Sequence, residues 1–384
     1  MMYDPEFDEI RPYNDNELPA VFEALAVDRH FRKMAQYVYP NEPYEVLVQK
    51  MKACKTKLEF QKITSYPFIQ KIVHDSMTTL SIDLSVLKDT SRSYTYISNH
   101  RDIILDSGFL SVLLVREHLD TVEIAIGDNL LIYPWIKELV RLNKAFIVQR
   151  GLSMRQKLLS SARLSRYIHY TIIEKKQSVW IAQRQGRAKD SNDLTQEGVV
   201  KMLSIGGREG DMIDKLSEIN ITPLAVSYEY DPCDYLKAKE FQLKRDNKDY
   251  VKTMQDDLIS MQTGLTGYKG AVHLQVSPCI NDQLFKIDRS LSKLELSTLI
   301  ATLIDKCIHA NYRIYTVNYI ALDLLNNNSE YSSKYTVAEK TDFENYISSR
   351  IDKIDIPNKD INFLRTKILC MYANPLINYL KVIQ

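Results

Sequence analysis

One stretch of the chain joins a predicted strand to a predicted helix through a histidine: Tyr94-Thr95-Tyr96-Ile97-Ser98-Asn99-His100-Arg101-Asp102-Ile103-Ile104-Leu105-Asp106-Ser107. Aromatic and β-branched residues up to the Ser-Asn break predict the strand. Asp102 then offers an N-cap for a helix that continues through a largely apolar run to Val115. The pattern places His100 at the turn between them. An imidazole there, beside a carboxylate, can take a proton from a hydroxyl.

Outward from this turn, short apolar strands alternate with helical stretches. The predicted strands are 93–98, 121–126, 145–149, 178–183, 221–228 and 271–277, and the predicted helices are 102–118, 130–142, 153–175, 195–205 and 210–218. This alternation predicts an α/β domain with a largely parallel sheet, which we assign to residues 91–285. Because ligands of open sheets gather at the carboxyl ends of the strands, residues that follow different strands are expected at one edge.

Helical regions flank this domain on both sides. In residues 1–90, the helices are predicted over Leu18–Tyr37, Tyr44–Leu58 and Tyr66–Leu80, with prolines at the breaks. Residues 286–384 predict a C-terminal helical extension with helices at 289–311, 315–326, 336–352 and 358–380. The N-terminal helices could pack on the domain or lie on lipid. Their mixture of acidic and basic residues favours packing.

The composition is that of an ordinary globular protein, with 384 residues, 45% hydrophobic residues, 26% charged residues and a net charge of +1. The charge is nevertheless segregated, because residues 131–190 contain 13 Lys and Arg against three Asp and Glu. This segregation favours an anionic ligand or a membrane surface near one face. Aromatic residues are not interleaved with the basic ones in the manner used to stack bases, so nucleic acid is not an expected partner.

The five cysteines are odd in number and widely spaced, and none forms a Cys-x-x-Cys pair. This pattern indicates a reducing compartment and argues against a disulfide framework or a metal site. The N-terminus is acidic and polar rather than typical of a signal peptide. No window approaches the roughly 18 consecutive apolar residues of a membrane-spanning helix. We therefore expect a cytoplasmic protein, peripheral on the cytoplasmic membrane face.

Three further blocks follow the histidine turn, namely Phe146-Ile147-Val148-Gln149-Arg150, Arg184-Gln185-Gly186-Arg187-Ala188-Lys189 and Ile221-Thr222-Pro223-Leu224-Ala225-Val226. Together the four blocks resemble, in order, those of the glycerolipid acyltransferase family, which transfers a fatty acyl group to glycerol-3-phosphate, lysophosphatidate and related acceptors. The resemblance covers about residues 93–230. It implies a glycerolipid-acyltransferase-like α/β domain and no cofactor besides the acyl donor, acyl-CoA or acyl carrier protein.

The resemblance implies that His100 is a general base assisted by an aspartate. The family has His-x4-Asp, but Leu105 occupies that offset here. Asp106 is the better match, because an apolar residue precedes it and small residues followed by Phe-Leu come after it, as in the family. Asp102 is the alternative partner. Since no Ser or Cys lies in a nucleophile-elbow setting, direct attack of the acceptor hydroxyl on a thioester is expected.

The second and third blocks imply the acceptor site. Arg150 resembles a clamp for the acceptor phosphate, for which a planar guanidinium is suited. The third block departs from the family, which has Glu-Gly-Thr-Arg or Glu-Gly-Gly-Arg, because Gln185 replaces the glutamate before Gly186 and Arg187. Lys189 adds a further positive charge. The lost carboxylate leaves an impaired enzyme open as an alternative.

The expected function is O-acyl transfer to a hydroxyl of glycerol-3-phosphate, lysophosphatidate or a similar anionic lipid precursor. One alternative is an O-acyltransferase that forms an aminolipid from an N-acyl amino acid, whose carboxylate would suit the same arginines. Another is a non-catalytic lipid- or carrier-binding protein on the same fold. A solvated helix face is the default interpretation of four basic residues on the predicted helix after Ser153: Arg155, Lys157, Arg163 and Arg166. Contact with anionic headgroups or with an acidic carrier protein is the second hypothesis for them.

Overall fold

A computed structural model describes residues 5–131 and 133–383. Its strands are β1 (Met77–Asp83), β2 (Thr95–Ser98), β3 (Glu123–Gly127), β4 (Ala145–Val148), β5 (Val179–Ala182), β6 (Ile221–Tyr228) and β7 (Gly270–Val276). They form one seven-stranded sheet in the order β1-β7-β6-β2-β5-β3-β4. Neighbouring strands are parallel except for β6 and β7, which are antiparallel. The predicted α/β class with a largely parallel sheet is therefore confirmed.

Helices surround this sheet on both faces and extend beyond it at both ends of the chain. The N-terminal helices are α1 (Leu18–Val27), α2 (Arg29–Val38), α3 (Tyr44–Ala53), α4 (Lys57–Ile63) and α5 (Ser65–Ser76). Those between strands are α6 (Leu105–Arg116), α7 (Pro134–Leu142), α8 (Met154–Ile173), α9 (Glu197–Leu203), α10 (Met212–Glu218), α11 (Asp234–Asp246) and α12 (Met254–Thr266). After β7 come α13 (Asn281–Leu284), α14 (Lys293–Ala310), α15 (Thr316–Asn326), α16 (Val337–Asp352) and α17 (Ile361–Ile383).

The sheet is buried between two hydrophobic cores. One core joins its strands to α8, α9, α10 and α14, and the other joins them to α5 and α6. All four residues of β2 are buried, as are the first seven of the eight residues of β6. Strands covered by helices on both faces are continuous apolar runs rather than alternating ones, and this explains why the pattern Ile-Thr-Pro-Leu-Ala-Val marks a central strand.

The largest departure from the predicted elements lies at residues 77–83. The helix predicted over Tyr66–Leu80 ends at Ser76, and the following residues form β1 at the edge of the sheet. Its partner is β7, with Leu80 opposite Val272. Such a distant partner is not visible in a local pattern, and the apolar spacing of α5 simply continues into the strand.

Other differences are breaks within predicted helices. The helix predicted over Leu18–Tyr37 is two helices, separated at Asp28, whose side chain accepts hydrogen bonds from the backbone at the start of α2. The segment 229–269, which has no predicted element, forms α11 and α12. The helix predicted over 130–142 begins at Pro134, and its residue Ile132 lies outside the described residues.

The N-terminal helices pack on the sheet domain, as their mixed charge favours. Phe22, Phe31, Met51 and Phe60 form a core with Leu142 of α7. Helices α15, α16 and α17 form a separate core in the C-terminal extension. In the described parts of the chain, no helix combines the length and the apolar character needed to cross a bilayer.

Candidate active site

His100 lies just beyond β2, and Asn99 fixes the turn that carries it. The Asn99 side chain donates from Nδ2 to the carbonyl of Val226 and accepts at Oδ1 from the amide of Val226, both at 2.8 Å. Asn99 therefore extends the pairing of β2 with β6 by one residue beyond the strand. The His100 side chain is left 14% exposed at the carboxyl edge of the sheet.

His100 and Asp106 are in direct contact. The Nδ1 atom of His100 lies 2.8 Å from Oδ2 of Asp106, whose side chain is fully buried. The same carboxylate accepts from the backbone amides of Arg101 at 2.7 Å and Asp102 at 3.1 Å, and from the Tyr228 hydroxyl at 3.0 Å. Because an ionised carboxylate only accepts, the pairing assigns the proton to Nδ1 and leaves the Nε2 lone pair free to take another.

Asp102 has a different position. Its Oδ1 accepts from the backbone amides of Ile104 and Leu105, both at 2.9 Å, and α6 begins at Leu105 rather than directly after Asp102. Asp102 thus supports the turn, and the residue inserted relative to the His-x4-Asp pattern is accommodated between His100 and the helix. Burial, with a further contribution from the nearby Asp106, raises the pKa of Asp102.

Helix α12 approaches Asp102 closely at Gly264. A Cβ atom built on Gly264 would lie 2.0 Å from Oδ2 of Asp102. Two such atoms cannot come so near, so only glycine fits at this crossing. The segment between β6 and β7 therefore covers the turn that carries the histidine.

The sequence did not single out Trp180 or Tyr228 as site residues. The Trp180 ring meets the His100 ring edge-on, with centroids 5.6 Å apart, and its Nε1 donates to the Ser98 hydroxyl at 3.0 Å. Tyr228 is the last residue of β6, the neighbour of β2. The rule that gathers the carboxyl ends of parallel strands would have placed Tyr228 beside His100.

Arg101 extends away from the histidine toward the C-terminal extension. Its Nη1 lies 2.8 Å from Oδ2 of Asp193, and its guanidinium carbon lies 5.9 Å from the centroid of the Tyr312 ring. All three residues are buried. The ion pair connects the turn after β2 to the segment after β5 and keeps both charges paired inside the protein.

Arg150 and the third block follow β4 and β5. The Arg150 amide donates to Oδ1 of Asp128 at 3.0 Å, and burial, partly offset by Asp128, lowers the pKa of the Arg150 guanidinium. Gly186 has a φ of +71°, in the left-handed region that favours glycine. The side chain of Gln185 is exposed, and the backbone amide of Gln185 donates to Oε1 of Gln196 at 2.8 Å.

Two cations of the third block are held differently. Burial would lower the pKa of Arg187, but Cys233, Asp102 and Asp231 outweigh it and raise that pKa. Within the described residues, the buried Nη1 of Arg187 has no hydrogen-bond partner. Lys189 forms an ion pair with Glu240 of α11, and burial lowers its pKa despite that pairing.

His100, Arg150 and the third block face one large cavity of about 1490 Å³. Its apolar walls come from α2, α3, α5, α6, α7 and α12. Its polar lining includes residues that follow three strands: His100, Arg150, Arg184, Gln185, Gly186, Arg187 and Lys189. The structure thus brings every predicted substrate-binding residue to the same cavity as His100, while Asp106 lies behind the histidine. The volume exceeds the roughly 300–1,000 Å³ of an ordinary small-molecule site.

Residues 83–197 match the family model described as Acyltransferase. The crystal structure of the 1-acyl-sn-glycerophosphate (LPA) acyltransferase PlsC from Thermotoga maritima is similar to this chain at 11% sequence identity, with a TM-score of 0.35, and the match covers 76% of this chain and 95% of that one. None of the curated proteins matches the sequence. The segment matched by the family model contains His100, Asp106, Arg150 and residues 184–189.

Proposed function

We propose a specific transfer reaction for this chain, whose residues 83–197 match the acyltransferase family model. A fatty acyl group moves from acyl-CoA or acyl carrier protein to a hydroxyl of glycerol-3-phosphate, lysophosphatidate or a similar anionic lipid precursor. His100 is the general base. The reaction takes place at the cytoplasmic face of a membrane, where acylated acceptors and products reside.

One observation supports this proposal above the others. His100, paired with Asp106, lines a cavity that is also lined by many apolar side chains and by Arg150, Arg187 and Lys189. A fatty acyl chain needs apolar walls, whereas a phosphate needs guanidinium or ammonium donors. A base in the wall of a cavity that offers both can reach a hydroxyl on the charged substrate and the carbonyl at the end of the acyl chain.

The proposed step forms one bond and breaks one bond. Nε2 of His100 takes the proton of the acceptor hydroxyl as its oxygen attacks the thioester carbonyl carbon. The tetrahedral intermediate then collapses, the carbon–sulfur bond breaks, and the thiolate receives the proton from the imidazolium. Asp106 accepts the Nδ1 hydrogen bond throughout and stabilises the imidazolium charge. The products are an ester and a free thiol.

The basic residues have separate roles in the proposal. Arg150 and Arg187 bind the anionic group of the acceptor, since a guanidinium offers paired donors to phosphate or carboxylate. Arg187 lines the cavity, and among the described residues its buried Nη1 has no hydrogen-bond partner. An N-acyl amino acid would meet the same donors with its carboxylate, and an acceptor panel separates it from a phosphate acceptor.

Gln185 is the observation that favours a second candidate, a lipid- or carrier-binding protein without turnover. The family places a carboxylate at this position, and the amide here cannot form an ion pair with a neighbouring arginine. This candidate would use the same cavity but would release no thiol from a bound thioester.

A thiol-release assay tests the proposal. Acyl-CoA and acyl carrier protein donors are each combined with glycerol-3-phosphate, lysophosphatidate and N-acyl amino acid acceptors. We expect acceptor-dependent thiol release that His100→Ala abolishes, with the fold checked by circular dichroism. His74→Ala is the matched control, because His74 is an exposed histidine that does not itself line the cavity, although its partner Asp75 does. Binding of thioester without release from any pair would support the non-catalytic candidate.

A further inference from the structure

The first two turns of α8 project from the body of the protein. Residues 153–159 are all exposed, although they cover every side of the helix. Met154 is 75% exposed and Leu158 and Leu159 are each 64% exposed. We call residues 153–159 the α8 tip. Three bulky apolar side chains in water on one short helix end are unusual for a surface with no partner.

The α8 tip is preorganised as a helix. The Ser153 hydroxyl accepts from the amide of Gln156, and the Gln156 side chain accepts from the amide of Ser153, which forms a capping box. The apolar side chains therefore do not have to order a flexible segment when they meet a partner. The exposed helix end can bind as it stands.

Two cations accompany the apolar side chains of the α8 tip. Arg155 and Lys157 are exposed, and neither has an ion-pair partner among the described residues. Farther along the helix, Arg163 pairs with Glu9 and Arg166 pairs with Glu6. Of the four basic residues for which contact with headgroups or a carrier protein was a hypothesis, the two on the α8 tip are those without an ion-pair partner among the described residues.

The α8 tip lies next to the candidate active site along the chain. Arg150 lines the large cavity, and α8 begins at Met154, four residues later. Gly151, between them, has a φ of +67° and lets the chain turn sharply from β4 into the helix. A surface that binds the α8 tip is thus held near the Arg150 side of the cavity.

From these observations we propose that the α8 tip inserts into the interfacial layer of an anionic lipid bilayer. Met154, Leu158 and Leu159 enter the boundary between headgroups and acyl chains, while Arg155 and Lys157 bind anionic headgroups. The inference rests on the proposed function in one respect, since it explains how an acylated acceptor would reach the cavity from the membrane.

A bilayer fits the α8 tip better than a protein does. A protein partner covers one face of a helix, whereas a fluid lipid phase surrounds an inserted helix end on every side. Met154, Leu158 and Leu159 lie within about 140° of the helix circumference, with Arg155 among them and Lys157 on the other side of the helix. An acidic carrier protein or a second copy of the chain that covered this sector would leave Lys157 without a counterion, whereas an anionic bilayer contacts the apolar side chains and both cations.

Vesicle flotation of the full-length protein without substrates tests the inference. The probes are vesicles of phosphatidylcholine alone and of phosphatidylcholine mixed with phosphatidylglycerol. We expect wild type to float with the anionic vesicles. The affinity of the variant L158S/L159S for these vesicles should be lower by about tenfold or more. The variant R155Q/K157Q should lose about tenfold on anionic vesicles and little on neutral ones.

The matched control is L294S/L299S on α14, where the two leucines are 59% and 46% exposed. It should bind vesicles as wild type does. Equal flotation of L158S/L159S and wild type, or no flotation of wild type, overturns the inference. It is also overturned if L158S/L159S keeps vesicle binding but loses binding to acyl carrier protein, or loses a dimer seen by light scattering.

The test is independent of turnover. With substrates dispersed in detergent, L158S/L159S should release thiol at the wild-type rate, because no α8-tip side chain lines the cavity. Wild type that floats with vesicles but releases no thiol would contradict the proposed function and leave the lipid surface in place.

Discussion

His100 and Asp106 are joined by a 2.8 Å hydrogen bond across a turn, one residue farther apart in sequence than the His-x4-Asp pattern allows. The turn absorbs the extra residue because Asp102 binds the backbone amides at the start of α6. The carboxylate of Asp106 then reaches the imidazole from the first helical turn, which gives the two aspartates separate tasks.

Asp106→Asn should lower kcat by about a hundredfold or more, because an amide can present its NH₂ group to Nδ1 and favour the wrong tautomer of His100. Steady-state thiol release measures the change. The paired variant Asp102→Asn keeps an oxygen for the backbone amides and should retain much more of the activity. A larger loss in Asp102→Asn than in Asp106→Asn would exchange the assigned roles.

Gln185→Glu should raise kcat/KM for an anionic acceptor by about tenfold, because a carboxylate can orient a neighbouring guanidinium through a charge-assisted hydrogen bond. Gln262→Glu is the matched control, since Gln262 is also an exposed glutamine that lines the cavity. If both variants change kcat/KM equally, the effect comes from added negative charge anywhere in the cavity. A specific role of a carboxylate at position 185 would then be contradicted.

Arg150→Gln should raise the KM for the acceptor by about tenfold, with a smaller effect on the KM for the acyl donor. The reason is that glutamine lacks the paired donors that the guanidinium offers to the anionic group. The hydrogen bond from the backbone amide of residue 150 to Asp128 and the shape of the cavity should be retained. Initial rates at varied acceptor and donor concentrations measure the two constants. An unchanged acceptor KM with a raised donor KM would assign Arg150 to the donor instead.

Gly264→Ala should lower the free energy of unfolding by about 1–3 kcal/mol, because the new Cβ would lie 2.0 Å from Oδ2 of Asp102 and must push α12 or the turn aside. Gly198→Ala in α9 is the matched control, since its Cβ meets nothing within 4 Å. Urea unfolding compares the two. Equal stability of both alanine variants would mean that α12 does not approach Asp102 this closely.

Asp305 gives a prediction for pH. Burial raises its pKa to about 6, although the amide and hydroxyl of Thr195 donate to it and oppose the shift. Between about pH 4 and 6 the folded chain therefore holds a proton that the unfolded chain releases, so the contribution of Asp305 to stability falls as pH rises through this window. Above pH 6 it stays constant.

Asp305→Asn should remove that slope and raise the free energy of unfolding at pH 7 by about 1–2 kcal/mol, since the amide oxygen still accepts from Thr195 without a buried charge. Urea unfolding at a series of pH values measures the slope. A variant that is less stable than wild type at pH 7 would show that the carboxylate is favourable in its surroundings.

The local residue pattern and one topological rule were sufficient to predict most of the sheet and the grouping of the candidate site residues. Strands β2 to β7 coincide with apolar runs, and each predicted site residue follows a strand of the same parallel sheet. Because carboxyl ends of such strands share an edge, residues as distant as His100, Arg150 and Arg187 come to one cavity. Tyr228 obeys the same rule and could have been found with it.

Features that depend on distant packing could not be predicted in this way. Strand β1 pairs with β7, whereas the sequence alone predicted that the preceding helix continues through its first four residues, to Leu80. The contact of Gly264 with Asp102 depends on how α12 crosses the turn, and no residue pattern encodes such an approach. The cavity volume likewise results from gaps between packed helices rather than from any single element.

The strand order has a consequence for dividing this protein into fragments. Strand β2 lies between β5 and β6, and β6 falls outside residues 83–197. A polypeptide cut to that segment would present one side of its central strand as an open ladder of amides and carbonyls, available to any other extended chain. It would also lose the backbone of Val226 that secures Asn99. The smallest autonomous folding unit must therefore continue at least through β6, well past the boundary of the recognisable motifs.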